Sequence, residues 1–199
     1  MQKDLPKVYL VRHGETAWTL SGKHTGKTDL PLTPAGEAAA KEIAQRLYGL
    51  TFAKVFTSPL QRARRTCELA GFGDVAIVDP DLVEWDYGEY EGLTTAEILR
   101  RAPNWQLFRD GCPGGESPAQ VAARADRVVA RLRGVGGDVL VFSSAHFLRA
   151  LTARWLGQAV TAGALFVLKT ATVSVLGYDH DESEPAVHLW NSTCGPPGG

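Results

Sequence analysis

The chain has 199 residues, 44% of them hydrophobic and 22% charged, a balance that fits one globular domain spanning residues 1–199 and excludes a disordered polyampholyte. A formal net charge of -1 supplies no global field for nucleic acid or an anionic membrane, so an anion must be held by a few gathered cations. The widely spaced Cys67, Cys112 and Cys194 match neither a disulfide framework nor a zinc site. With no leader-like start and no apolar run long enough to cross a bilayer, the expectation is a soluble cytoplasmic protein.

Residues 7–11, KVYLV, read as a buried strand that delivers a polar, glycine-containing loop to one sheet edge. Thr33-Pro34 reads as N-cap and first helical position, and Ala39, Ile43, Leu47 and Leu50 recur at helical spacing, predicting a helix over residues 34–49. A strand over residues 53–57 follows. Ser58-Pro59-Leu60-Gln61 has the form of a capping box, opening a helix with Leu60, Ala63, Cys67 and Ala70 inward and Arg62 in its first turn. Ser117-Pro118-Ala119-Gln120 repeats that form before a helix that turns Val121, Ala125, Val128 and Leu132 inward and presents Arg124, Arg127 and Arg131 as a solvated face. Residues 138–143, DVLVFS, are a second continuous apolar strand. Ala145-His146 then leads into a helix with Leu148, Leu151 and Trp155 inward, stopped by Gly157. Residues 172–176 and 186–190 are late strands, and residues 193–199 a frayed tail. Strands alternating with helices argue for an α/β sandwich with a mainly parallel sheet, whose ligand site lies at the carboxyl ends of the strands. Arg12-His13, Arg62 and His146 each follow a strand and converge on that edge.

Val11-Arg12-His13-Gly14-Glu15-Thr16 carries the strongest chemical signal. At ordinary residue frequencies a specified Arg-His-Gly-Glu arises in roughly one chain in a thousand of this size, so it is read as meaningful. A glycine after the histidine permits close backbone approach to a ligand. A neutral imidazole beside a guanidinium is a candidate nucleophile toward a phosphoryl group; the plainer alternative is a structural histidine at a strand end. Glu84, in an acidic loop with Asp86, Glu89 and Glu91, is on the residues alone either an acid/base group or a surface carboxylate. His24, His180 and His188 read as ordinary polar or partly buried residues, and no HxH, HExxH or carboxylate cluster suggests a metal.

The segment containing Arg12 and His13 resembles the signature of the histidine phosphatase superfamily, which includes cofactor-dependent phosphoglycerate mutases. Four further stretches resemble that family in the same order. SGKHTGKTDLPLT, residues 21–33, is similar to its substrate loop. Ser58-Pro59-Leu60-Gln61-Arg62-Ala63-Arg64-Arg65-Thr66 is similar to its second phosphate-arginine motif. Leu82-Val83-Glu84 with Gly88-Glu89-Tyr90-Glu91-Gly92 is similar to its acid-donor segment, and Ser143-Ser144-Ala145-His146 to its second-histidine strand end. The resemblance covers nearly the whole chain and lies closest to a subgroup with sedoheptulose-1,7-bisphosphatase and acid phosphatases. It implies a three-layer α/β/α sandwich, phosphoglycerate mutase-like, with a mainly parallel mixed sheet of about six strands.

In those roles His13 attacks phosphorus and forms phosphohistidine, while Arg12, Arg62, His146 and the helix start after Ser58 hold the phosphate oxygens. Glu84, protonated at the start, serves the leaving alkoxide and then the attacking water, so activity is expected to favour mildly acidic pH. Thr19, Thr25, Gly26 and Tyr87 align with substrate contacts. Phe147, where relatives carry glycine, is expected to narrow the pocket. The implied activity is phosphomonoester hydrolysis on small phosphorylated metabolites, sugar phosphates or bisphosphates, with Arg100, Arg101 or Arg109 as a second-phosphate contact or a solvated helix face. The alternatives are a phosphoglycerate mutase, disfavoured because the basic insertion after the acid-donor segment looks absent, and a noncatalytic phospholigand-binding protein. No cofactor or metal is expected. The partner is a small-molecule phosphomonoester rather than nucleic acid or membrane, with the oligomeric state open.

Overall fold

The computed structural model describes residues 5–193, leaving the rest of the expected tail, and Cys194, outside the described residues. Six strands form one sheet: β1 (Val8–Arg12), β2 (Lys54–Thr57), β3 (Ala76–Val78), β4 (Val139–Ser143), β5 (Val173–Tyr178) and β6 (Pro185–Ser192), in the order β3-β2-β4-β1-β5-β6. β1, β2, β3 and β4 are joined by parallel pairings. β5 is antiparallel to both β1 and β6, so it alone runs against the others. Alternation along the strands sends Val8, Leu10, Val139 and Val141 to one core, and Tyr9, Val11, Leu140 and Phe142 to the other. Each such side chain, fully buried, contributes roughly 1.5–3 kcal/mol.

Helices α1 (Ala17–Leu20), α2 (Pro34–Arg46), α3 (Gln61–Leu69), α4 (Thr95–Arg101), α5 (Leu107–Asp110), α6 (Pro118–Arg133) and α7 (Ala145–Trp155) complete the chain. α2 and α3 cover one face through Ile43, Leu47, Cys67 and Ala70, and α6 and α7 the other through Val121, Ala125, Val128, Leu148 and Leu151. This is the expected three-layer sandwich with a mainly parallel mixed sheet. Among the described residues no helix is long and apolar enough to cross a membrane.

The local signals succeed and fail for identifiable reasons. At α6, Ser117 Oγ accepts the Gln120 N–H and Gln120 Oε1 accepts the Ser117 N–H, a reciprocal cap. The box at Ser58 does not form. Its N–H is already given to Phe142 O in line with the sheet, and Gln61 is drawn to Asp29, whose Oδ1 accepts the Gln61 N–H at 2.8 Å. α3 therefore starts at Gln61, and the carboxylate of Asp29 occupies the helix start that the sequence assigned to phosphate. β3 escapes sequence reading because it is a three-residue edge strand with Ile77 and Val78 exposed. α2 ends at Arg46 rather than residue 49, where Gly49 adopts φ +81°.

Arg124 overturns the reading of α6 as having a solvated arginine face. Arg127 and Arg131 are exposed and pair with Asp81, but Arg124 is buried at 6% exposure. Its guanidinium binds both oxygens of Glu116 at 2.9 and 2.6 Å and the carbonyls of Asp81, Val83 and Glu84. It also lies 4.3 Å from the Phe147 ring centroid.

Candidate active site

The carboxyl ends of β1 and β4 and the loops after them enclose a cavity of about 170 Å³, lined by Arg12, His13, Thr19, Gly22, Lys23, His24, Thr25, Glu84, Tyr87, Ala145 and His146. Four of the five principal sequence candidates thus share one space. Arg62 stands behind it. Fully buried, Arg62 donates to the carbonyls of Thr25, Gly26 and Thr28 at 2.8–3.0 Å, bracing the loop that forms one wall. The Nε–H groups of Arg12 and Arg62 are buried without an acceptor among the described residues.

His13 follows β1 and is 3% exposed. Its Nδ1 lies 2.7 Å from Gly14 O, an atom that can only accept, so Nδ1 carries the proton and Nε2 keeps its lone pair. Burial, then the charges of Arg62 and Arg12, hold its pKa well below the usual 6.5. The ring is neutral at ordinary pH. Gly14 does not serve close approach to a ligand as its motif suggested. A Cβ there would stand 2.5 Å from Gly36 O, and one at Gly36 would stand 2.2 Å from Glu15 O. The two glycines interlock, pressing the His13 loop onto the start of α2.

His146, in the first turn of α7, has the opposite proton placement. Its Nδ1 lies 2.5 Å from the Tyr87 hydroxyl. Burial raises the Tyr87 pKa well above 10 and lowers that of His146 well below 6.5. A protonated phenol donates to the bare Nδ1 of a neutral imidazole, which leaves N–H on Nε2. One histidine therefore offers a lone pair and the other a donor.

Glu84 is 5% exposed. Oε1 accepts the N–H groups of Trp85 and Phe147 at 2.8 Å, and Oε2 that of His146 at 3.0 Å. The carboxylate is pinned to the start of α7 from one side and, through Arg124 on its own carbonyl, to α6 from the other. Phe147 contributes this amide, but its side chain turns into the core at 0% exposure and does not narrow the cavity. The register of α7 explains the difference: His146 faces the sheet edge, so its successor faces the core.

Among the substrate-loop candidates, Thr19 and Thr25 line the cavity, Thr19 also closing the cap of α1 with Thr16. Gly26 does not. Its N–H goes to the Glu91 carboxylate, and a Cβ there would collide with Glu91 Oε2 at 2.6 Å and Trp85 O at 2.7 Å. Glu91, which also accepts the Thr28 N–H at 3.1 Å, is a positioning group that sequence reasoning passed over. His24 was missed as well. It lines the cavity beside Tyr87 and Trp105, ring centroids 4.8 and 5.7 Å away, and burial lowers its pKa to about 4. Its place directly before Thr25-Gly26 was the available signal. His180 is exposed on the β5–β6 turn, where it, Asp179 and Glu184 bring ligand-type atoms within 4.8 Å of one another, a cluster that no sequence motif marks. It lies at the opposite end of β5 from the cavity. Arg100, Arg101 and Arg109 do not line the cavity, and Arg109 is engaged by Asp110 and Asn104 O.

The sequence profile of the histidine phosphatase superfamily, branch 1, matches residues 8–193. An acid phosphatase of Mycobacterium tuberculosis is 43% identical over 186 residues, covering 91% of each chain. Sedoheptulose 1,7-bisphosphatase of Saccharomyces cerevisiae is 35% identical over 218 residues, covering 92% of this chain and 79% of the relative. A solved structure of a Mycobacterium tuberculosis open reading frame superposes with TM-score 0.88 at 39% identity, over 94% of this chain and 97% of that one. The native structure of a mycobacterial glucosyl-3-phosphoglycerate phosphatase gives TM-score 0.81 at 27% identity, over 94% and 99%.

Proposed function

Since the chain belongs to the histidine phosphatase superfamily, branch 1, we propose that it hydrolyses phosphomonoesters of small metabolites, sugar phosphates and bisphosphates foremost, through a phosphohistidine on His13. The observation that carries this reading is the pair of opposed imidazoles: a bare Nε2 on His13, fixed by the Nδ1–H bond to Gly14 O, facing the same cavity as an Nε2–H donor on His146.

Phosphoryl transfer needs an in-line nucleophile, cations on the equatorial oxygens and a proton for the leaving oxygen. His13 Nε2 attacks phosphorus as the bond to the ester oxygen breaks. Arg12 and His146 donate to the phosphoryl oxygens, and Arg62 adds positive potential from behind while keeping His13 unprotonated. Glu84 gives its proton to the departing alkoxide, which leaves as the alcohol. Water then enters, Glu84 takes a proton from it, and the hydroxide displaces phosphate from nitrogen, restoring the lone pair on His13. Oε2, with a single N–H donor, is the oxygen left to exchange that proton. The first step needs a proton on Glu84 and a bare Nε2 on His13 together.

Incubation with a 32P-labelled phosphomonoester, quenched without acid, should trap one labelled phosphate per chain, and His13→Ala should trap none. Label retained in His13→Ala would refute the assignment. With 3-phosphoglycerate, release of inorganic phosphate is the expected product, and 2-phosphoglycerate would instead mark a mutase.

A further inference from the structure

The mouth of the cavity carries a cation that no carboxylate among the described residues pairs with. Lys23 lines the cavity and is exposed. Its ammonium lies 5.7 Å from the Trp18 ring centroid, and among the described residues no carboxylate pairs with it. Apart from Arg12, assigned above to the first phosphate, the other cations around the site are engaged. Arg62 is bound to three carbonyls, Lys27 pairs with Asp86 at 2.5 Å, and Arg149 donates to Gly163 O and Ala164 O. Glu97, whose charge Lys23 feels, is itself held by the N–H and hydroxyl of Thr94.

The backbone that presents Lys23 is anchored. Its N–H donates to Trp18 O at 2.9 Å, residue 23 bridges Thr94, and His24 exchanges hydrogen bonds with Leu93 O and the Gly92 N–H at 2.9 Å. A fixed root with a flexible four-carbon stem suits a point-charge contact that tolerates some variation in ligand length. The cavity is also small. Pockets that enclose whole organic ligands run to roughly 300–1,000 Å³, whereas about 170 Å³ encloses a phosphoryl group and little beyond it. The rest of the substrate must cross the rim, where it meets Lys23 and the neutral ring of His24.

We propose that Lys23 receives a second anionic group, phosphate or carboxylate, of a substrate whose first phosphate lies against His13, selecting small bisphosphates and phosphorylated acids over phosphate esters of neutral alcohols. This rests on the phosphatase reading above. It moves the second-anion contact from Arg100, Arg101 or Arg109 to the substrate loop.

The test compares wild type, Lys23→Gln and Lys23→Arg on fructose 1,6-bisphosphate, 3-phosphoglycerate and p-nitrophenyl phosphate. In Lys23→Gln the ratio of kcat/KM for the bisphosphate to that for p-nitrophenyl phosphate should fall about tenfold, as for loss of one charge-assisted contact. The change should lie in KM, shrink at high salt, and be largely restored in Lys23→Arg. The same fall for 3-phosphoglycerate would show that a carboxylate also serves, and a fall for only one of the two would identify the group received. A ratio unchanged for both anionic substrates, with p-nitrophenyl phosphate still hydrolysed, would overturn the Lys23 assignment and leave the phosphatase reading standing. Absence of phosphate release from all three substrates by wild type would overturn both.

Discussion

His13, Glu84 and Arg62 are each at most 5% exposed, and each is held by main-chain groups: the Gly14 carbonyl, three amides, and three loop carbonyls. At the rim, Lys23 is exposed and reaches outward from an anchored backbone. The contrast separates two tasks. Groups that exchange protons or bond to phosphorus are over-determined, because misplacing one by about 1 Å can cost about a hundredfold in rate. Groups that choose the substrate can keep their freedom, since the leaving portion varies.

The contrast is broken most strongly by removing what holds the interior. Arg124→Met leaves the Glu116 carboxylate without its bidentate partner and frees the carbonyls of Asp81, Val83 and Glu84. Breaking a buried pair in this way costs about 3–5 kcal/mol, to be read from the urea midpoint. In the folded fraction, kcat should fall about 10–100-fold as Glu84 loses its place, with the alkaline limb of the pH profile displaced and KM little changed. Arg124→Lys should recover part of kcat. Stability loss with an unaltered pH profile would reduce Arg124 to a packing residue.

The next effect is set by pH. Burial lowers the pKa of His13, His24 and His146 below the unfolded value of about 6.5, that of His24 to about 4. Below about pH 6.5 the unfolded chain binds protons that the folded chain refuses, so stability is complete above that pH and falls as pH drops toward the folded values. For His24 alone the window from about 6.5 to about 4 corresponds to ~3 kcal/mol. His24→Gln should therefore lose Tm less steeply than wild type between pH 6.5 and 4. Parallel slopes would show that His24 is not held neutral.

Much of this interior is legible in the sequence, though unevenly. The strands that bear His13 and His146 are continuous apolar runs, and nothing else in the chain competes to place their ends. Arg124 is charged, which suggests the solvated face, but its period places it inside: it stands three positions after Val121 and four before Val128, within the arc those residues bury. Ser58 shows the converse, since a complete local signature yields when the sheet and Asp29 take its donors. β3 carries no period or motif of its own, and His24 and Glu91 lie inside motif-like stretches whose roles only tertiary contact separates. Arg62 was found by its motif, but its fixation to three carbonyls of a loop more than thirty residues away leaves no local trace.

The smallest effect offers the sharpest test, because Tyr87 acts on only one of the two imidazoles. Tyr87→Phe removes the hydroxyl that fills Nδ1 of His146 and leaves the Nδ1–H bond of His13 to Gly14 O in place. The ring of His146 is then free to move its proton to Nδ1, which withdraws the Nε2–H donor from the phosphoryl oxygens. A loss of about tenfold in kcat is expected, ~1.4 kcal/mol of transition-state stabilisation. Imidazole 15N shifts should report a change of tautomer at His146 and none at His13, while phosphate is still trapped on His13. Wild-type kcat in Tyr87→Phe would mean that the donor on His146 is set by something other than the phenol. A tautomer change at both histidines would mean that the two rings are coupled rather than separately fixed.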